Sequence, residues 1–474
     1  MLKAINIELE NRFRENLPTS AFLDMSAKYL TEPRRRFHGQ TGLLIAPETV
    51  EQVSYVVKQA NTEQVGIIPY GGGTGLVGGQ VLDLKLGPIM APVILSLERM
   101  HKMRSIYPSE NVLTVDAGAI LADVQAMAEA VDRVFPLSLA SKGSAQIGGL
   151  LATNAGGVNV LRYGMARDQV LGIEAVMADG RILNGLSRLR KDNTGYDLRH
   201  LLIGSEGSLG IITAASLRLF PRPKSEVTAL LAVADPAAAL ELLNLMRDLF
   251  GESISAFELI SGQGLSFLSE TFPEIRQPWK SPPIWSVLIQ LDFFENRNTN
   301  LKLEELYEHA SKLILDGIMA QSLQDSKDLW RLRETIPHAN KRIGAICSHD
   351  ISLPLSQIDG FVKTMTSEIQ LLGSLRLNCF GHLGDGNLHF NIFPPVGESV
   401  ESYENLRMDL YRRVHQRVHS LGGSISAEHG IGRLKVDELE EFSDPTKLNI
   451  MRALKKTLDP KGILNPGAVL RPQA

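Results

Sequence analysis

Pro69-Tyr70-Gly71-Gly72-Gly73-Thr74-Gly75-Leu76-Val77-Gly78-Gly79-Gln80 follows the short apolar run VGII and contains G-x-G-x-x-G at Gly73, Gly75 and Gly78. Which phosphate such a loop serves decides the fold. In a dinucleotide fingerprint the third glycine opens a helix, and the pyrophosphate rests on that helix N-terminus. Here the loop runs into QVLDLKLGPIMAPV, which is poorly periodic and carries two prolines. A nicotinamide fold is therefore not expected, although Glu98 after VILSL imitates the ribose-binding acid. A Walker loop fails too, because no Lys-Ser/Thr pair follows. What remains is a nest, in which consecutive glycine N–H groups converge on an anion with no side chain in the way. A second tract at 141–164 sets Gly143, Gly148, Gly149, Gly156, Gly157 and Gly164 among Ser, Thr and Asn, and IGSEGSLGII at 203–212 repeats that texture. Three such tracts point to backbone packed along one extended ligand.

Bulk properties narrow the class. The chain has 474 residues, 44% hydrophobic and 22% charged, which is long enough for roughly two to four domains. A net charge of -4 gives no reason to expect nucleic acid or an anionic membrane as partner. Two cysteines, Cys347 and Cys379, are too few for a disulfide framework or a four-thiolate cluster. The N-terminal run MLKAINIELENRFREN has charges where a signal peptide has its apolar core, and no run reaches the ~20 apolar residues that span a bilayer. The expectation is a cytoplasmic enzyme of a small molecule, with no membrane span.

The texture changes along the chain. Helical spacing over 6–32 and in VEQVSYVVKQANTEQ, followed by the strand VGIIP, gives α/β character. Strand-like PVILSL and VLTVDAGA precede the helix LADVQAMAEAV, and GIEAVMADGRILN reads as a hairpin around Asp179-Gly180. Beyond PRPKSE (221–226) glycine thins out, and helices near 236–250, 299–314 and 355–371 alternate with strands such as WSVLIQLDF and LRLNCFGHL. The expected divisions are 1–222, 223–422 with an antiparallel sheet backed by helices, and a C-terminal segment 423–474.

PYGGGTGLVGG, SKGSAQIGGLLATNAGG, RYG, LLIGSEGSLGIIT and ILNPG together resemble the FAD-binding domain of the vanillyl-alcohol oxidase and p-cresol methylhydroxylase superfamily. The C-terminal half resembles the FAD-linked oxidase C-terminal domain, so the likeness covers nearly the whole chain. Within that superfamily it is most similar to the FAD-linked D-2-hydroxyacid dehydrogenases. The resemblance implies an α+β fold with a two-subdomain FAD-binding domain, an antiparallel-sheet cap domain for substrate, and a C-terminal segment that returns to the flavin. It also implies that FAD lies along Pro69, Gly71, Gly72, Gly73, Thr74, Gly75, Ser141, Lys142, Gly143, Ser144, Gly148, Asn154, Gly156, Gly157, Tyr163, Gly164, Glu206, Gly207, Ile212 and Asn465.

The sharpest chemistry is in NCFGHLGDGNLHFNI. Gly384-Asp385-Gly386-Asn387 reads as a four-residue hairpin loop, which sets Leu383 opposite Leu388 and His382 opposite His389. Opposed residues on one face have Cβ atoms ~4.5–5.5 Å apart, close enough for two imidazoles to share an ion. Asn391 falls on the same face. SISAEHGIGRLK supplies Glu428 and His429, so two histidines and a carboxylate would hold a divalent metal, zinc first and manganese or ferrous iron next. The resemblance implies the same three ligands, His382, His389 and Glu428, and makes Arg333 and Asn391 contacts of the substrate carboxylate. With a metal beside FAD, the hydroxyl of a 2-hydroxy acid becomes acidic and His429 can take its proton as general base. His429 would thus touch the substrate while a hydride leaves for the flavin.

The reduced flavin then needs an external acceptor, for which the resemblance implies an electron-transfer flavoprotein, a quinone or a cytochrome. A homodimer stays open. Two positions depart from the family pattern: Ser348 replaces a lysine of many relatives, and Pro337 replaces a hydroxyl residue of some. Both bear on a second, distal carboxylate, so D-2-hydroxyglutarate, ranked first, D-lactate and other D-2-hydroxy acids remain in play. A metal-independent FAD oxidase of an alcohol or sugar, and a flavoprotein subunit that only passes electrons, are the alternatives.

Overall fold

The computed structural model describes residues 2–83, 91–294 and 299–472. The stretch LKLGPIM at 84–90, part of the run whose poor periodicity argued against a nicotinamide loop, lies outside the described residues. Contacts divide the chain into two units, one of residues 1–156, 165–222 and 428–474, the other of 157–164 and 223–427. Neither the excursion at 157–164 nor the membership of the C-terminal segment in the first unit was legible in the composition.

In the first unit Thr49 caps the helix Val50–Glu63, and Gln64 ends it in the left-handed conformation. That helix carries the chain from Leu43–Ile45 to Ile67–Tyr70, the two outer strands of a parallel sheet with Val93–Ser96 between them, since parallel strands cannot be joined by a tight turn. Val53, Val56, Val57 and Ala60 on its inner face pack with Leu9, Phe13, Ile45, Ile67 and Leu95. Ile463 and Leu464 complete this core, and the chain there bonds Ile67 from both sides, through Ile67 N–H to Ile463 O at 2.7 Å and Asn465 N–H to Ile67 O at 2.8 Å. A second sheet of the unit is antiparallel, in the order Met103–Tyr107, Val112–Asp116, Ile211–Arg218, Val170–Val176, Ile182–Gly185. The hairpin around Asp179-Gly180 joins its last two strands, with Gly180 at φ 85°.

The second unit is built on seven antiparallel strands in the order Ile314–Met319, Ser225–Val233, Trp285–Phe293, Ile254–Ser261, Arg376–His382, Asn387–Phe393, Cys347–Ser352. Side chains alternate between faces. The helices Gly262–Thr271 and Leu323–Ile343 cover the face that carries Phe380, through Leu265, Phe267, Leu268, Leu332 and Ile336. The opposite face carries Phe390 and His349, which meet Phe361 of the helix Ile358–Gln370 and Tyr411 of the helix Glu404–Ser420. Among the described residues no helix is long and apolar enough to cross a membrane.

Both cysteines are free and buried in this sheet, and burial pushes the Cys379 thiol up to about 12. A thiolate is the reactive form, so neither should react quickly with a thiol reagent in the native chain. Titration with Ellman's reagent near neutral pH is expected to count no fast thiol before, and both after, denaturation.

Candidate active site

The first unit carries a groove lined by Pro69, Gly71, Gly72, Gly73, Thr74, Gly75, Gly148, Gly149, Glu206, Gly207, Ile212, Asn465 and His429. Its walls approach so closely that side chains are excluded on one side and open space is left on the other. A Cβ on Gly72 would stand 2.1 Å from Ser144 O and one on Gly148 2.7 Å from the Ala117 Cβ, whereas one on Gly149 meets nothing within 4 Å. Gln146 also lines the groove, and its Oε1 is buried without a hydrogen-bond partner. A buried acceptor is seldom left so unless a ligand supplies the donor. Glycine-walled backbone with an acceptor waiting for an N–H or O–H fits a long, flat ligand bearing phosphates and hydroxyls, as FAD does.

The segment that brings His429 to this groove is locked by buried polar groups. Glu206, itself at φ 52°, accepts from the backbone N–H of Ile431 at 2.7 Å and of Gly432 at 2.8 Å. Burial raises its carboxyl above the usual range against these two donors and the charge of Arg433. The Arg433 guanidinium donates to the carbonyls of Gly78 and Gly79 at 2.9 and 2.8 Å, and to Asn465 Oδ1 at 2.7 Å and Pro466 O at 2.9 Å. Burial brings it down to about 10, with Glu206 opposing. Asn465 Nδ2 donates in turn to Glu206 O at 2.8 Å. Glu206 and Asn465 border the groove as the sequence suggests, but their side chains are committed to holding the 430–433 backbone.

Other residues named for FAD lie elsewhere. Ser141, Lys142, Gly143 and Ser144 form a turn outside the groove lining. Asn154 uses its side chain inside the protein, accepting from Arg167 N–H at 2.9 Å. Gly156 closes the first stretch of its unit, while Gly157, Tyr163 and Gly164 belong to the second unit, where burial pushes the Tyr163 hydroxyl up to about 12.

In the second unit, His382 and His389 share one face with ring centroids 5.9 Å apart. Their register differs from the one read from sequence. His389 pairs with Phe380, because a 3-10 turn at Leu383–Asp385 and Gly386 at φ 86° lengthen the connection beyond a four-residue loop. A slip of two residues keeps both imidazoles on one side, since side chains alternate with period two. The register partner of His382 is Glu258 on the neighbouring strand.

Glu258 is the residue the sequence reading missed, although its signal was there: it is the one charge in ISAFELIS, a strand whose eight residues are all buried. Its Oε1 takes His382 Nδ1 at 2.5 Å, and its Oε2 takes Arg333 Nε and Nη2 at 2.8 and 2.7 Å. Burial alone would raise this carboxyl, but the positive charges of His382 and Arg333 and their hydrogen bonds outweigh it and hold it at about 2. Arg333, on the helix Leu323–Ile343, is itself only 6% exposed and lies 4.8 Å over the Phe380 ring. Pro337, one turn on, has no N–H for the Arg333 carbonyl.

A second carboxylate stands behind the other histidine. Asp350 pairs with His389 in register, its Oδ1 lies 3.9 Å from His389 Nδ1, and Asn387 Nδ2 donates to it at 3.0 Å. Asn391 is buried on the same strand as His389, across from Ser348 and Asn378. At the strand edge Cys347–Ser352, Ser352 and Ser424 exchange backbone bonds, and Ala427 N–H reaches Asp350 O at 3.3 Å. His382, with Nδ1 on a carboxylate, suits a divalent ion, because that arrangement leaves Nε2 as the ligand atom.

Comparison with known proteins agrees with these two halves. Residues 42–185 match the family described as FAD binding domain, and residues 222–469 match FAD linked oxidases, C-terminal domain. The chain is 37% identical to the mitochondrial D-2-hydroxyglutarate dehydrogenase of Arabidopsis thaliana over 443 residues, 93% of this chain and 77% of that one. It is 38% identical to the enzyme of the same name from Danio rerio over 438 residues, 90% and 78% of the two chains. The solved structure of p-cresol methylhydroxylase with substrate bound superposes with a TM-score of 0.75 at 17% identity, over 99% of each chain, and shows the fold alone. Both relatives are named as mitochondrial, which overturns the cytoplasmic expectation. That expectation rested on charge and on the lack of an apolar run, properties that do not distinguish the two compartments.

The groove makes a contrast that can be measured. Gly149→Ala puts a methyl into open space in a helix, where Ala is favoured over Gly by about 0.5–1 kcal/mol, so the apoprotein should melt no lower while bound FAD per chain falls. Gly72→Ala forces backbone apart and should lower Tm as well, for a cost of about 1–3 kcal/mol.

Proposed function

The chain belongs to the FAD-linked oxidases of the D-2-hydroxyacid dehydrogenase type, and from that premise we propose that it oxidises a D-2-hydroxy acid to the 2-oxo acid, D-2-hydroxyglutarate ahead of D-lactate. FAD would occupy the glycine-walled groove, and His382, His389 and Glu428 would hold a divalent ion, zinc first. The observation that carries the reading is the pair of same-face imidazoles, one of them with Nδ1 on the buried carboxylate of Glu258. Such backing fixes a histidine as an ion ligand, and a surface or core histidine has no need of it.

Bound in the groove, FAD would supply a hydride acceptor for C2 of the substrate, and an ion held by His382, His389 and Glu428 would make the substrate hydroxyl more acidic. The remaining work falls to the chain. His429, which lines the groove, takes the hydroxyl proton on its ring nitrogen, as an imidazole most often does in general-base catalysis. Asn391 and Arg333 hold the carboxylate, so that a single enantiomer directs its C2–H toward the flavin. Because Nε and one N–H of Nη2 of Arg333 already serve Glu258, its contact with substrate is end-on, through Nη1 and the second N–H of Nη2. Hydride and proton together convert the hydroxy acid to the oxo acid. The two electrons then leave for an external acceptor, an electron-transfer flavoprotein, a quinone or a cytochrome, since this chain has no thiolate cluster to take them.

Anaerobic addition of D- and L-2-hydroxy acids to the flavin-loaded protein should bleach its visible absorption with the D-series only. Bleaching by the L-series, or by simple alcohols in protein stripped of metal, would favour a metal-independent oxidase. His429→Gln is expected to lower turnover by about 100-fold or more, with FAD content unchanged.

A further inference from the structure

We propose that Glu258 is a positioning residue: one buried carboxylate fixes which nitrogen of His382 is available to an ion and, through its other oxygen, fixes how Arg333 can meet a substrate. The inference rests on the ion reading above and goes beyond it, because Glu258 touches neither ion nor substrate.

A purely structural role does not explain the charge. Glu258 is 0% exposed, on a strand whose other buried residues are Ile, Ser, Ala, Phe and Leu, and a buried ion pair gives little or no stability over apolar residues of the same volume. Its two oxygens are also divided. Oε1 accepts from His382 Nδ1–H and Oε2 from the side-on edge of Arg333. An imidazole that donates from Nδ1 carries its lone pair on Nε2, and a carboxylate acceptor makes that nitrogen a better ligand. The backbone brings the two together, because Glu258 and His382 are register partners on adjacent strands. Arg333 is held from the same point and stacked on Phe380, so the edge left to it is the end-on one, Nη1 with the second N–H of Nη2. One carboxylate thus ties ion affinity and substrate orientation together.

The test compares zinc affinity in full-length, FAD-loaded, metal-stripped protein by competition with a chelator, with the cobalt(II) absorption spectrum as a second readout. Glu258→Gln keeps an acceptor but loses the charge, and should weaken zinc binding by about tenfold; Glu258→Leu with Arg333→Met loses both partners and should weaken it by about 100-fold. The double variant leaves no unpaired buried charge, so it decides the matter if the single variant does not fold. Leu332→Ala, which opens the same buried layer without touching the imidazole, should lower Tm but keep zinc affinity. Wild-type affinity in both Glu258 variants, or an equal loss in Leu332→Ala, overturns the inference and leaves the ion reading intact. A wild-type chain that takes up no zinc overturns both.

Discussion

A carboxylate with no exposed surface cannot be left uncompensated, and this requirement organises the second unit. Moving an ionised group out of water costs several kcal/mol even after the protein relaxes. Glu258 is wholly buried in a strand with no other charged residue, where water cannot offset that cost. The compensation comes from Arg333 on a helix above the sheet and from His382 on the next strand. Exposed pairs such as Lys363 with Asp359 impose nothing comparable, because solvent screens them and their partners can be exchanged. The buried triad therefore ties two adjacent strands and one helix to a single carboxylate.

The first unit solves a parallel problem with backbone. Its groove needs glycines where walls nearly touch, and the backbone at 430–433 must be held beside them. Arg433 does this by donating to four acceptors, two of them carbonyls of the glycine loop itself. Glu206 secures the same segment from its carboxylate side, and Lys455 adds bonds to Ser208 O and Leu464 O at 2.8 Å each. His429 owes its place along the groove to this network of buried polar contacts, each of which would be costly to leave unmade.

Much of this was legible in the residues because it depends on short-range rules. Glycine runs, the Asp179-Gly180 turn and the capped helix Val50–Glu63 follow from local stereochemistry, and the same-face placement of His382 and His389 follows from the period of a strand. The register itself was not legible, since a 3-10 turn at Leu383–Asp385 adds residues that a turn-composition rule does not count. Long-range pairings were also out of reach. Nothing near Arg333 in sequence announces a partner 75 residues away, and a lone Glu in an apolar strand signals a buried partner without naming it. Gly157, Tyr163 and Gly164 carry the right residue types for a cofactor loop, yet packing against the strand Ile254–Ser261 assigns them to the other unit.

The most direct measurement is the protonation state of one ring. With selectively 15N-labelled histidine, and the His382 signals assigned by their loss in His382→Gln, the zinc-loaded protein should show Nδ1 protonated and Nε2 carrying the ion. A His382 protonated on Nε2, or one whose signals do not respond to zinc, would contradict the central role given to the Glu258 carboxylate.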